Sequence, residues 1–183
     1  MTAISETLRN LVQVLERLHV DYMLIGGHAL PMYGRPRSTI DIDIAIAMKL
    51  PQPMQLEAEL ENAGFQVSSF SEETAYFVVT DTRAFVEVEV WLRPDGITID
   101  AECLSRRKKV KIEDFDFWII GPEDFIVNKL SRRDRRVQDE VDVLSVLRNT
   151  RLKLDIPYLH KIAERAGILL LLRAFEKKAR VSD

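Results

Sequence analysis

The run Ile40–Asp41–Ile42–Asp43–Ile44–Ala45–Ile46–Ala47 is the clearest strand signal in the chain. Isoleucine recurs at 40, 42, 44 and 46, the two-residue period of a strand with one face buried. Asp41 and Asp43 fall on the opposite face. Aspartate is disfavoured in strands, and like charges on one face repel. The pair therefore calls for open solvent or a compensating cation. Two carboxylates so placed can converge on one or two hard cations, and Mg²⁺ prefers carboxylate, phosphate and water oxygens.

Upstream, Tyr22 to Ile25 reads as a short apolar strand that ends tightly at Gly26–Gly27. A helix starting at His28 and running to Met32 is expected next, with Pro31 near its first turn. Two glycines let a backbone approach a phosphate closely, and the free N–H groups of a helix start favour an anion. His28 is a candidate for phosphate contact or for capping the helix. Tyr33 to Thr39 is a polar, basic loop. Arg35 and Arg37 carry guanidinium groups suited to phosphate, Arg35 with the weaker case. Ser38 or Thr39 offers a hydroxyl.

Downstream, Ala75 to Thr80 and Phe85 to Leu92 read as a hairpin turning at Asp81 to Arg83. Glu87 and Glu89 share one face of its second strand, opposite Val86, Val88 and Val90. One of the two is placed to complete a three-carboxylate site. Around this centre the pattern predicts an amphipathic helix over Ile4–Leu18 and a break at Pro51 and Pro53. A helix over Gln55–Ala63 follows, ending at Gly64, and then a short strand at Phe65–Val67. Ile97–Ile99, Val110–Ile112 and Phe117–Ile120 are weaker strand candidates. After Gly121–Pro122 the pattern turns helical: Glu123–Leu130, Gln138–Arg148 and Ile156–Lys178, the last split at Gly167. The expected class is α+β: a mixed sheet with flanking helices over residues 1–120, then a helical C-terminal extension over 121–183. Whether those helices pack on the sheet or form a lobe is open in the sequence.

These features together resemble the polymerase-beta-like nucleotidyltransferase superfamily. The likeness rests on Gly26–Gly27–His28–Ala29, the basic loop and the spacing Arg37-x-Thr39-x-Asp41-x-Asp43. It is nearest to the small prokaryotic members, the minimal nucleotidyltransferases and AbiEii-like proteins. Lys129, Arg133, Gln138, Asp139 and Asp142 extend it into the helical part. The resemblance implies a nucleoside triphosphate held by Gly26, Gly27, Arg37, Thr39 and Lys129. It also implies Mg²⁺ bound by Asp41, Asp43 and a third acid. Glu89, which precedes Val90–Trp91–Leu92–Arg93, is the first choice for that acid and Glu87 the second. A nucleoside monophosphate would pass to an acceptor that is a protein, an RNA or a small molecule. The alternative is a weakly active or inactive binding protein of the same fold, such as an antitoxin or regulatory component.

The remaining features bound the reading. With 183 residues and 46% apolar content the chain can build one substantial core. A net charge of −3 argues against a generally basic nucleic-acid surface. The basic run Arg106–Arg107–Lys108–Lys109, followed by Lys111, reads as a solvated turn or a contact for RNA or a partner. Trp91 and Trp118 are expected in the core. Ile168 to Leu172 reads as internal packing or as the interface of a homodimer or toxin–antitoxin pair. The lone Cys103 cannot form an internal disulfide and suits a reducing compartment. No apolar run is long enough to span a bilayer. A cytoplasmic protein without a membrane partner is the expectation.

Overall fold

Isoleucine alternation, a capped amphipathic helix and a Gly-Gly turn build one end of the fold. In the computed structural model, residues 2–48, 53–68 and 75–181 are described, so the break expected at Pro51 lies outside them. Helix α1 (Ala3–Arg17) begins at a reciprocal cap. The Thr2 side chain accepts from the Ser5 amide, and the Ser5 hydroxyl accepts from the Thr2 amide. Its buried face carries Leu8, Leu11, Val12 and Leu15. Strand β1 (Asp21–Leu24) follows, then helix α2 (Gly26–Ala29), which runs into a 3₁₀ turn at Leu30–Met32. The helix expected from His28 thus starts two residues earlier, and both glycines lie within its first turn.

Strand β2 (Ile42–Ala47) is next, then helix α3 (Pro53–Asn62) and strand β3 (Phe65–Val67). Ile42, Ile44 and Ile46 are all buried, as alternation requires. Ile40 is not: it is 91% exposed and, with Asp41, precedes the paired strand. Strands β4 (Tyr76–Asp81) and β5 (Val86–Trp91) form the expected antiparallel hairpin. The strand expected at Ile97–Ile99 is absent. Those residues are held in turn-like hydrogen bonds, from the Ile97 amide to Pro94 and from the Asp100 amide to Thr98. They lead to helix α4 (Ala101–Ser105), whose amide at Cys103 is capped by the Asp100 carboxylate.

Strands β6 (Lys108–Ile112) and β7 (Phe115–Ile119) close the mixed part. Among the described residues the seven strands form one sheet, in the order β3-β4-β5-β2-β1-β7-β6. The pairs β2–β5 and β1–β7 are parallel and the others antiparallel. Helices α5 (Pro122–Ser131), α6 (Val137–Leu147), α7 (Ile156–Arg165) and α8 (Leu169–Arg180) complete the α+β fold. All ten residues of α5 except Ser131 are buried. Phe125, Val143, Leu159 and Leu172 from these helices belong to the same hydrophobic core as the sheet residues. The helices therefore continue the core rather than enclose a second one. Leu172 is buried while Leu170 is 82% exposed, so the leucine-rich run serves packing on one side only.

The tip of the β4–β5 hairpin is tied down by a buried carboxylate. Asp81 accepts from the amides of Arg83 and Ala84 and from the Thr7 hydroxyl of α1 at 2.9 Å. Burial opposes its ionisation, but the hydrogen bonds from Arg83, Thr7 and Ala84 outweigh it and hold the carboxyl below its usual range. Asp81→Ala removes a partner from three donors and is expected to cost about 1–3 kcal/mol in urea unfolding at neutral pH. The depressed carboxyl contributes stability above the ordinary carboxylate range, and that contribution is lost as pH falls through the folded value. The gap between wild type and variant should therefore close in acid.

Candidate active site

Register brings the acids together. In the parallel β2–β5 pair, Asp43 lies directly opposite Glu89. The Glu89 carboxyl is pushed up, first by burial and then by the charge and hydrogen bond of Asp43, with Asp41 adding to it. Glu87 lies two residues away on the same face, opposite Thr80 of β4, and points to solvent. Of the two glutamates, Glu89 is the one beside Asp43. Asp41 is exposed at the start of β2. Among the described residues, no three His, Cys, Asp or Glu side chains converge closely enough to hold a metal ion as they stand. The donor set nevertheless fits a hard divalent cation in its chemistry. Asp43 and Glu89 are oxygen donors in mutual repulsion, with Asp41 close enough to raise Glu89.

Asp43 is fixed from two sides. The Trp91 indole donates to its Oδ1 at 3.1 Å. Trp91 in turn stacks on Tyr76, with ring centroids 4.6 Å apart. Trp91 and Trp118 are half-buried and pack against the core, Trp91 with its indole N–H at this site and Trp118 beneath the Arg107 guanidinium. On the other side stands Gly26, with φ +65°. A Cβ there would overlap the Asp43 carboxylate, and one at Gly27 would press within 2.8 Å of the Thr39 hydroxyl. The glycines thus let the α2 turn approach the acid strand and the loop that precedes it.

A narrow cleft opens on Asp43, lined by Gly26, Trp91, Asp95, Asn128 and Arg132. Asn128 shapes it by donating to the Asp95 carbonyl at 3.0 Å. Arg132 is the cation of this cleft, anchored by Asp134 at 3.1 and 3.2 Å. Sequence reasoning passed over Arg132 in favour of Lys129 and Arg133. Helix α5 stops at Ser131, and Arg132 turns to extended backbone. Arg133 therefore lies beyond the helix and is exposed. His28 is held toward its neutral form by burial, against the pull of Asp43, and among the described residues its buried Nε2 has no hydrogen-bond partner.

Lys129, expected at the triphosphate, is 2% exposed and does not line the cleft. Its ammonium donates to Asp139 at 2.8 Å and sits 3.6 Å from Asp142. Asp142 also receives Arg37, whose Nε and Nη2 lie 3.0 and 2.9 Å from its two oxygens. Gln138 donates to it at 2.9 Å. Two more bonds join the same loop to the helical part: the Arg35 amide donates to Ser145, and Asn149 donates to the Tyr33 carbonyl. The Arg35 side chain is exposed. The basic run at 106–109 is largely engaged by acids, with Arg106 on Asp155, Arg107 on Asp21 and Lys109 on Asp116. Cys103 is buried and its thiol is pushed up by burial, then by Asp124, which marks it as inert.

The chain has the fold of the polymerase-beta-like nucleotidyltransferase superfamily. Solved structures share it. The solution structure of the antibiotic-resistance factor ANT(2'')-Ia matches with a TM-score of 0.57 at 13% identity, over 91% of this chain and 94% of that one. The lincosamide antibiotic adenylyltransferase LnuA, lincomycin-bound, gives 0.53 at 14%, over 77% and 94%. An antigenic nucleotidyltransferase-like protein from Paracoccidioides brasiliensis gives 0.53 at 20%, over 93% and 91%. Residues 4–167 match the family described as "Nucleotidyl transferase of unknown function (DUF2204)", and the chain belongs to that family. No curated protein matches it in sequence. Among the described residues, no helix is long and apolar enough to cross a membrane.

Two substitutions test this geometry without any substrate. Lys129→Met leaves Asp139 and Asp142 buried with fewer partners and should destabilise the nucleotide-free protein by about 3–5 kcal/mol in chemical denaturation. Unchanged stability would mean that the ion pairs are not structural. Gly26→Ala combines a left-handed backbone with overlap on Asp43. It should displace that carboxylate, so that in an NMR titration the Glu89 carboxyl returns toward its ordinary range.

Proposed function

We propose that the protein transfers a nucleoside monophosphate from a nucleoside triphosphate to an acceptor hydroxyl with the help of Mg²⁺. The observation that carries this reading is the pairing of Glu89 with Asp43, which itself lines a cleft with Gly26 and Arg132. Asp43, Glu89 and Asp41 would hold the cation. When bound it would neutralise charge on the α-phosphoryl group and lower the pKa of the attacking hydroxyl.

The chain's own groups supply the rest. Gly26 and Gly27 let the triphosphate approach the backbone, and Arg132 offers it a guanidinium from across the cleft. Arg37, Thr39 and Lys129 serve by shaping the loop against α2. The acceptor oxygen bonds to the α-phosphorus, the bond to the bridging oxygen of the β-phosphate breaks, and pyrophosphate leaves. The hydroxyl proton passes to the Glu89 carboxylate. The likeness to minimal nucleotidyltransferases and AbiEii-like proteins rests on Gly26, Gly27, Arg37, Thr39, Asp41 and Asp43, with Lys129 in the helical part.

A second reading is favoured by one observation: among the described residues, no three acids converge closely enough to hold a metal ion as they stand. It is a protein of the same fold that binds nucleotide or a partner without turnover, as an antitoxin or regulatory component would. Purified protein incubated with Mg²⁺, each α-labelled nucleoside triphosphate and a cell extract separates the two. Label transfer is expected, falling on the order of 10²–10³-fold in Asp43→Asn. Nucleotide binding without transfer to any component sinks the enzyme reading.

A further inference from the structure

A second opening is lined by Glu89, the residue paired with Asp43 across β2 and β5. It is a groove of about 330 Å³ at the start of β2 and β5, between the hairpin tip and the first turn of α1. That volume lies at the small end of the range for small-molecule sites. Its charged lining consists of Asp41, Glu87 and Glu89, and no Lys, Arg or His lines it among the described residues. Its apolar lining includes Ile4, Ile40 and Phe85.

Two of these side chains are unusual. Ile40 and Phe85 are 91% and 83% exposed, beside a core that buries the other isoleucines of their run. Phe85 also has φ +54°, a left-handed conformation that is an outlier for a bulky side chain. The conformation is held from beneath. The Phe85 amide donates to the Asp81 carbonyl at 2.8 Å, and the Asp81 carboxylate is bonded to α1 through Thr7. A rigid support thus presents an aromatic face to the groove. Glu87 is the acid left over there: it is set apart from the Asp43–Glu89 pair, and among the described residues no hydrogen bond or ion pair engages it. An exposed ring next to a free carboxylate is the chemistry that recognises an ammonium group, by cation–π attraction and by charge.

We infer that this groove binds the acceptor, and that the acceptor is a small hydroxyl compound carrying a protonated amine beside an apolar portion. The inference rests on the nucleotidyl-transfer reading, with the nucleotide in the Arg132 cleft and the acceptor on the Glu87 side of the same acids. A polyanionic acceptor such as RNA would set its phosphates against Glu87, which the proposed cation does not engage, with no Lys, Arg or His in the described lining to offset it.

The test uses three probes of one shape and different charge: phenylalaninol, its neutral N-acetyl derivative and the anionic 3-phenyllactate. Each is titrated into the full chain without nucleotide or metal and followed by NMR. Phenylalaninol should bind about threefold to fivefold more tightly than the neutral probe, the range of a solvent-exposed charge pair, and shift the resonances of Phe85 and Glu87. In Glu87→Gln that preference should vanish while the neutral probe binds as before. Phe85→Ser should weaken the amine and the neutral probe together. Equal binding of amine and amide to the wild type, or tightest binding of phenyllactate, overturns the inference. Label transfer from nucleoside triphosphate to phenyllactate but not to the amine also overturns it and leaves nucleotidyl transfer standing. Amine selectivity lost in Glu87→Gln, with no transfer to any probe, upholds the groove's selectivity and counts against the transfer reading alone.

Discussion

The buried ammonium of Lys129 is the contact on which the site's geometry depends. It sits in the interior with Asp139 and Asp142, and Asp142 reaches outward to Arg37. A buried ion pair is weak evidence for stability, because desolvation offsets most of the Coulomb gain; its best-attested use is to fix one arrangement among several. Here the arrangement fixed is that of α5, α6 and the loop before β2. The bonds of Tyr33 and Arg35 to Asn149 and Ser145 act in the same direction. The loop so placed sets Thr39 against Gly27, and β2 sets Asp43 against Gly26. The helical part, which lends Asn128 and Arg132 to the cleft, thereby also positions the acids.

The sheet supplies the second constraint. Like charges side by side on adjacent strands are destabilising, yet β2 and β5 are registered so that Asp43 and Glu89 face one another. A shift of one residue would send Asp43 into the apolar layer and the isoleucines out of it. The burial of Ile42, Ile44, Val88 and Val90 therefore enforces a register that the acids alone would oppose. The Glu89 carboxyl is raised first by its burial and then by the repulsion of Asp43 that remains.

The sequence made legible what depends on local period. Alternation located β2 and β5 and the faces of their acids, helical spacing located α1 and α5 to α8, and turn residues marked the hairpin. It could not choose between Glu87 and Glu89, because that choice lies in the pairing of two strands more than forty positions apart. Trp91 read as core and packs against it, but an indole in an apolar run carries no mark of its polar N–H partner. Lys129 has a spacing consistent with a phosphate ligand, but spacing along a helix says nothing of burial, which places it with Asp139 and Asp142. Arg132 was hidden by the end of α5: continuing the helix made Arg133 the next exposed cation, whereas the chain turns out one residue earlier. Helix α4 has only Asp100 to announce it, and Ile97 and Ile99 imitate a strand because they are half-buried against the core without a neighbouring strand to join.

Among the described residues, a guanidinium on one side of the acids and only carboxylates on the other give the site a direction. Arg132 stands on the Gly26 side, while Glu87, Ile40 and Phe85 stand on the other. In the proposed reaction a triphosphate would meet the guanidinium on the first side and be repelled by the second. The free acid and exposed ring of the second side favour a compound of the opposite charge. The Asp43–Glu89 pair lies where the two openings approach each other, so a phosphoryl group brought from one side and a hydroxyl brought from the other would meet at those carboxylates. Charge can thus assign each substrate its side before any contact specific to its structure is made, and the Asp81-supported turn that holds Phe85 outward keeps the second side open in the absence of a ligand.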